Sequence, residues 1–168
     1  EVLRGLRGDL TGLREQIDDQ VRTHVTRVNE LLTEISSLNV SIAESEKGQS
    51  EDPGLRDRRD GLVRELSELI DVTAQARENG SVDLFVGSAP LLLEGQARPV
   101  ETRTREVNGE EVFEVTVGEN REVLSPDAGR IGALLSGRVD AIDETVREID
   151  DLASALIFEV NRLHSQGR

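Results

Sequence analysis

The chain has 168 residues and a formal charge of −14, with no cysteine, methionine, tryptophan or tyrosine and only three phenylalanines. A disulfide framework, a cysteine-ligated zinc site and a thiol nucleophile are therefore excluded, and so acidic a surface argues against nucleic acid, whose phosphates are held by clustered Lys and Arg. With 36% hydrophobic but 2% aromatic residues, the core must come from Leu, Val, Ile and Ala, which suits helix seams better than an aromatic-walled pocket.

The length corresponds to one domain, or one domain with a small insertion. No apolar run approaches ~18 residues, so no membrane insertion is expected. The chain opens on Glu1-Val2 without an initiator methionine or a signal peptide, and reads as a piece excised from something larger.

From Val2 to about Glu46 apolar residues recur at Leu3, Leu6, Leu10, Leu13, Ile17, Val21, Val25, Val28, Leu32, Ile35, Leu38 and Ile42. The steps are threes and fours, with two successive fours at Ile17–Val21–Val25. Such a stripe faces a partner in a left-handed supercoil, and the extra four is a stutter that locally unwinds it. Gly5 and Gly8 weaken the first two turns. "EKGQSEDPGL" (46–55) then breaks the helix: Gly48 fits a left-handed C-terminal cap, and Asp52-Pro53 fits an N-cap followed by proline at the first helical position. A shorter helix follows, with Leu55, Leu62, Leu66, Leu69 and Ile70 on one face.

At Asp71 the apolar period changes to two. Asn79-Gly80 and Asn108-Gly109 each sit between short extended runs and predict type I′ hairpin turns. Val82, Leu84 and Val86 alternate after the first, and Phe113, Val115 and Val117 after the second, with a short strand at Leu91–Leu93 between. One small antiparallel sheet over 72–124 is predicted. The last helix begins at Ser125-Pro126-Asp127 or Gly129 and runs to about Leu163, with a stripe of Ile131, Leu134/Leu135, Val139, Ile142, Val146, Ile149, Leu152, Leu156, Val160 and Leu163.

The expected fold is α+β: an elongated antiparallel helical bundle or coiled-coil rod, two long helices and one shorter, with a small antiparallel β-sheet insertion. Residues 1–71 supply the first long helix and the second helix, 72–124 the insertion, and 125–168 the closing helix.

Chemistry is sparse. His24 and His164 lack the i,i+4 partner of a helical metal site, and Asp18-Asp19 and Asp150-Asp151 lack the loop spacing of a calcium site. With no phosphate-binding or nucleophile motif, neither an enzyme nor a cofactor is expected. "RDRRDGL" leaves two readings open for Asp57, Arg58, Arg59 and Asp60: an exposed pair at a helix start, or a buried Arg59 that sets helix register through carboxylates. Gly132 and Gly137 mark either a close approach or a loose first turn.

Four stretches carry a resemblance. "LRDRRDGLVRELSELIDV" (55–72) resembles the LxDxRDxLxxELSxLVxV stretch of the flagellar hook-associated protein 1 family. "GSVDLFVGSAPLLLEGQARPV" (80–100), "GRIGALLSGRVDAID" (129–143) and "NRLHSQG" (161–167) are similar to that family's later segments, in the same order. Val139, Gly61 and Val160 depart from its pattern.

The resemblance implies a non-enzymatic subunit joining flagellar hook to filament, outside the cell, exported without a cleavable signal. Its partners would be other copies in a junction ring, the hook protein, a second junction protein, and the export apparatus and chaperone through termini missing here; the fragment alone would be monomeric. Candidate structural or interaction residues are Asp57, Arg59, Asp60, Arg138, Asn161 and His164. The alternative is a helical extracytoplasmic sensor or ligand-binding module.

Overall fold

The computed structural model describes residues 2–47, 52–107 and 110–167. Helix α1 is unbroken over Val2–Lys47. Helix α2 covers Pro53–Leu69, and the Asp52 carboxylate caps it by accepting from the Gly54 and Leu55 amides, with proline at the start as expected. The proposed Gly48 cap and Asn108-Gly109 turn lie outside the described residues.

Among the described residues seven strands follow: β1 Thr73–Ala76, β2 Val82–Val86, β3 Ala89–Leu93, β4 Gln96–Ala97, β5 Val100–Val107, β6 Glu110–Val117 and β7 Glu122–Leu124. All pairings are antiparallel, but they form two sheets, β1-β2-β3-β4 and β5-β6-β7, not one. The break falls at Arg98-Pro99, between β4 and β5, where proline has no N–H to carry the ladder on.

The turn at Asn79-Gly80 also differs from expectation. Gly80 has φ +75° but Asn79 is not in the left-handed region, so this is not a type I′ turn. The Gly80 amide donates to the Arg77 carbonyl and the Arg77 amide to the Ser81 carbonyl, which makes a longer loop. Two consecutive positive φ values occur instead at Glu94 (54°) and Gly95 (78°), between the paired residues Leu93 and Gln96. That two-residue connection has the backbone the sequence reading gave to Asn-Gly.

The chain divides into two compact units, one of residues 20–133 and one of residues 1–19 with 134–168. In the larger, α1 contributes Val21, Val28, Leu31, Leu32, Ile35 and Ile42 to a core completed by Leu66 and Ile70, by Leu84, Leu91 and Leu92 of the first sheet, by Val115 and Val117 of the second, and by Ile131. Gly129 (φ +77°) and Gly132 permit close backbone approaches here. An added Cβ at Gly129 would meet the Leu69 carbonyl and Ile70 amide at 2.8 Å, and one at Gly132 the Pro126 carbonyl at 2.8 Å. The choice left open for Gly132 falls to close approach; at Gly137 a Cβ would meet nothing within 4 Å.

In the smaller unit, Arg7 pairs with Asp150 (2.9 Å) and Arg14 with Asp143 (3.9 Å). As one number rises by seven the other falls by seven, so these helices run antiparallel. The closing segment is not one regular helix: α3 (Gly129–Gly137) passes into a π-helical segment, Arg138–Asp143, and then α4 (Glu144–Gln166). The wider π turn changes the phase of the stripe. Val139, expected on the apolar face, is 53% exposed, and Arg138 is buried in its place.

Candidate functional site

The larger unit is fastened by polar side chains of α1 that bond directly to strand backbone. Asn39 is 1% exposed. Its Nδ2 donates to the Val82 carbonyl (2.8 Å), and its Oδ1 accepts from the Val82 amide (3.1 Å). Ten residues earlier, Asn29 does the same for Val100, at 2.8 and 2.9 Å. A carboxamide offers one acceptor and one donor in a plane, the pair a strand residue presents to its neighbour. Val82 opens β2, the second strand of the first sheet, and Val100 opens β5, the first strand of the second, so each sheet is pegged to α1 at the start of one of its strands. Ser36 Oγ adds a bond to the Gly95 carbonyl in the β3–β4 turn.

The polar cluster of α2 lies against the β1–β2 turn. Arg59 is buried, with 7% exposed. Its Nε and Nη2 donate to Asp60 Oδ1 (3.0 and 2.9 Å), and its Nη1 donates to the Gly80 carbonyl (2.6 Å). The buried alternative describes its environment, but it grips its neighbour's carboxylate and a hairpin turn. Arg56 bonds Glu46 at the end of α1, and Asp57 is exposed. Inside the first sheet, buried Asp83 accepts from Arg77 Nε (2.6 Å) and from the Glu94 amide (2.9 Å). That second bond holds a non-glycine residue at positive φ, a conformation that otherwise costs about 1 kcal/mol.

On the second sheet Glu114 accepts from Arg103 (2.8 Å) and from Arg105. Burial works to raise the Glu114 pKa, but the two guanidinium bonds prevail and hold it below the ordinary carboxylate value. The Arg22 guanidinium lies 5.3 Å from the Phe113 ring centre. His24 is shifted down, by burial first and by the Arg130 charge second.

The smaller unit has its own ion cluster. Arg138, 3% exposed, donates from Nε to Asp18 Oδ1 (2.7 Å) and from Nη1 to Asp143 Oδ2 (2.6 Å). One guanidinium thus ties α1 to the π segment. Asn161 and His164 are exposed near the end of α4. The six sequence candidates therefore do not converge: Arg59 and Asp60 form one contact, Arg138 another, and Asp57, Asn161 and His164 face solvent. Asn29, Asn39 and Asp83 were missed. For the two asparagines the one signal is a polar residue at the edge of the apolar stripe, as Asn39 beside Leu38; Asp83, off the Val82–Leu84–Val86 alternation, carries none.

Among the described residues no three His, Asp or Glu side chains gather as a metal site, and no helix is long and apolar enough to cross a membrane. A cleft beside Asn39, Arg77, Ser81 and Glu94 holds about 180 Å³, and a shallow one along α1 beside Thr26, Asn29 and Thr33 about 550 Å³.

A family model described as the flagellar hook-associated protein FlgK helical domain matches residues 1–168. Flagellar hook-associated protein 1 of Salmonella typhimurium is 26% identical over 161 residues, covering 91% of this chain and 29% of the relative. Its counterpart in Bacillus subtilis is 29% identical over 123 residues, covering 73% and 22%. The flagellar hook junction protein FlgK from Burkholderia pseudomallei superposes with a TM-score of 0.72 at 25% identity, covering 84% of this chain and 27% of that one. The chain thus spans under a third of these relatives' length, and none of them supports a sensor.

Proposed function

This chain belongs to the flagellar hook-associated protein FlgK helical-domain family, and we propose that it serves as the helical segment of a structural subunit joining hook to filament. The observation that carries this reading is the family match across all 168 residues. The use of the polar side chains supports it. Asn29, Asn39, Arg59, Asp83 and Arg138 are all engaged with the chain itself, which suits a body that transmits force and not a cleft that turns over substrate.

In this reading the protein is not an enzyme. It acts outside the cell after export without a cleavable signal, and it meets hook protein, a second junction protein and further copies of itself. Asn161, His164 and Asp57 are then available for contact with neighbours, while Arg59, Asp60 and Arg138 keep the segment rigid.

The test is complementation. A strain lacking the full-length protein receives a version without residues 53–72, the α2 segment that holds Arg59. Hooks should assemble, filament subunits should escape into the medium, and the cells should not swim. Wild-type swimming by that deletion would overturn the assignment.

A further inference from the structure

We propose that β1, an open edge of the first sheet, docks an extended polypeptide segment with β-branched residues at alternate positions and Lys/Arg flanks. β1 is an outer strand of the order β1-β2-β3-β4, and all four of its residues are exposed. The Arg77 amide donates to the Ser81 carbonyl at 2.9 Å, so the backbone groups of that residue point into the hairpin. In an antiparallel ladder this direction alternates from one residue to the next. Gln75 and Thr73 therefore bond toward β2, while Ala74 and Ala76 turn their N–H and C=O groups outward. Val82, opposite Ala76, agrees with this phase: its amide and carbonyl are taken by Asn39 and not by β1. Among the described residues nothing bonds to the outward groups of Ala74 and Ala76.

Unpaired edges recruit foreign strands unless they are short, charged or blocked. Among the described residues the two sheets have three other edges, and each is guarded. β4 has two residues and β7 three. β5 is longer, but it carries Glu101, Arg103, Arg105 and Glu106, and its first residue, Val100, is capped by Asn29. β1 reads Thr-Ala-Gln-Ala, with no charge, no proline and no bulge in its pairing with β2. Its alanines lie on the face of Val82 and Leu84, which are 8% and 0% exposed. A valine opposite each alanine would extend that buried apolar surface.

Charge decides the flanks. Just before β1 stands Asp71, whose carboxylate accepts from the amide of exposed Asp127 at 3.4 Å, and just after it stands exposed Glu78. Arg77, the cation between them, is already held by Asp83 at 2.6 Å, with Glu94 at 3.7 Å. Both ends of the edge are thus acidic, and a Lys or Arg at each end of the incoming strand complements them. A second copy does not. Pairing β1 with itself, Ala74 against Ala76, sets each Glu78 opposite Val72 and beside Asp71, between chains that each carry −14.

The experiment uses the 168-residue chain and the labelled peptide Lys-Thr-Val-Thr-Val-Thr-Lys, with a second in which Glu replaces both lysines. By fluorescence anisotropy the Lys peptide should bind at least about tenfold more tightly than the Glu peptide, with the gap narrowing as salt rises. Its addition should slow hydrogen exchange at the Ala74 and Ala76 amides. N-methylation of the two valines, whose amides face β1 in this register, should abolish binding. N-methylation of the central threonine, whose amide faces away, should leave the affinity nearly unchanged. Ala76→Pro removes an outward N–H and no bond to β2, so it should weaken binding at least about tenfold with circular dichroism retained. Binding of neither peptide, equal affinity for both, equal loss from either N-methylation, or a homodimer by light scattering that excludes both peptides would overturn the proposal. The flagellar reading would survive any of these, since no step of the assay depends on it.

Discussion

Asn39 supplies both backbone hydrogen bonds of Val82, donating to its carbonyl at 2.8 Å and accepting from its amide at 3.1 Å. A side chain of α1 thereby takes the place of a neighbouring strand at the start of β2. The amide and carbonyl are buried against the helix, so either would be left without a partner if the carboxamide were removed.

Truncating that peg should cost more than an average hydrogen bond. Each buried backbone group left unpaired forfeits about 1–3 kcal/mol, so Asn39→Ala should destabilise the chain by about 2–4 kcal/mol. Urea unfolding gives the magnitude, and amide exchange at Val82 gives the location. Asn29→Ala should act likewise on Val100, but less, because Asn29 is only half-buried.

Breaking the buried ion cluster should be worse than replacing it. Arg138→Ala takes the shared guanidinium from buried Asp18 and from Asp143, which keeps only the 3.9 Å contact with Arg14, an expected loss of about 3–5 kcal/mol. Arg138→Met with Asp18→Leu removes both charges of the pair that joins the π segment to α1 and should recover part of that loss. A double-mutant cycle in urea checks the sign of the coupling.

Glycines separate by what surrounds them. Gly61 lies inside α2 with open space at its Cβ position, so Gly61→Ala should stabilise by about 0.5–1 kcal/mol. Gly129→Ala meets backbone at 2.8 Å and keeps φ at +77°, so it should destabilise by more than about 1 kcal/mol. Opposite shifts of the thermal midpoint are expected from the same substitution.

Acid should weaken the fold in two stages. His24 has its pKa lowered in the folded chain, so the unfolded chain binds that proton first; its contribution is full above about pH 6.5 and declines as pH falls below it. Glu114 is also depressed. Its contribution is full above about pH 4.5 and is lost as pH falls through the folded pKa. Denaturation midpoints across this range should show both steps; His24→Asn should remove the upper and Glu114→Gln the lower.

What the sequence disclosed was whatever depends on period. The stripe from Leu3 to Ile42, the Asp52-Pro53 start and the change of period at Asp71 all reappear as elements. What it concealed depends on contacts distant along the chain. Nothing near Asn39 indicates that a strand 43 residues away will need its carboxamide. The π segment was also hidden, because Arg138 and Val139 both border the stripe, and burial of the charged one becomes favourable only with Asp18 alongside, 120 residues back. The Asn79-Gly80 expectation failed for a related reason: the Gly80 carbonyl accepts from Arg59 of α2, so the loop answers to that helix as well as to its own dipeptide.

The account turns on α1 and its pegs acting as a mechanical fastening. The most direct measurement is filament retention under graded shear in cells whose full-length protein carries Asn29→Ala with Asn39→Ala. Hydrogen exchange on the purified variant should establish that both sheets have loosened. The account predicts normal export and assembly, with filaments shed at shear that leaves wild-type filaments attached. Wild-type retention by a variant whose sheets have demonstrably loosened would contradict it.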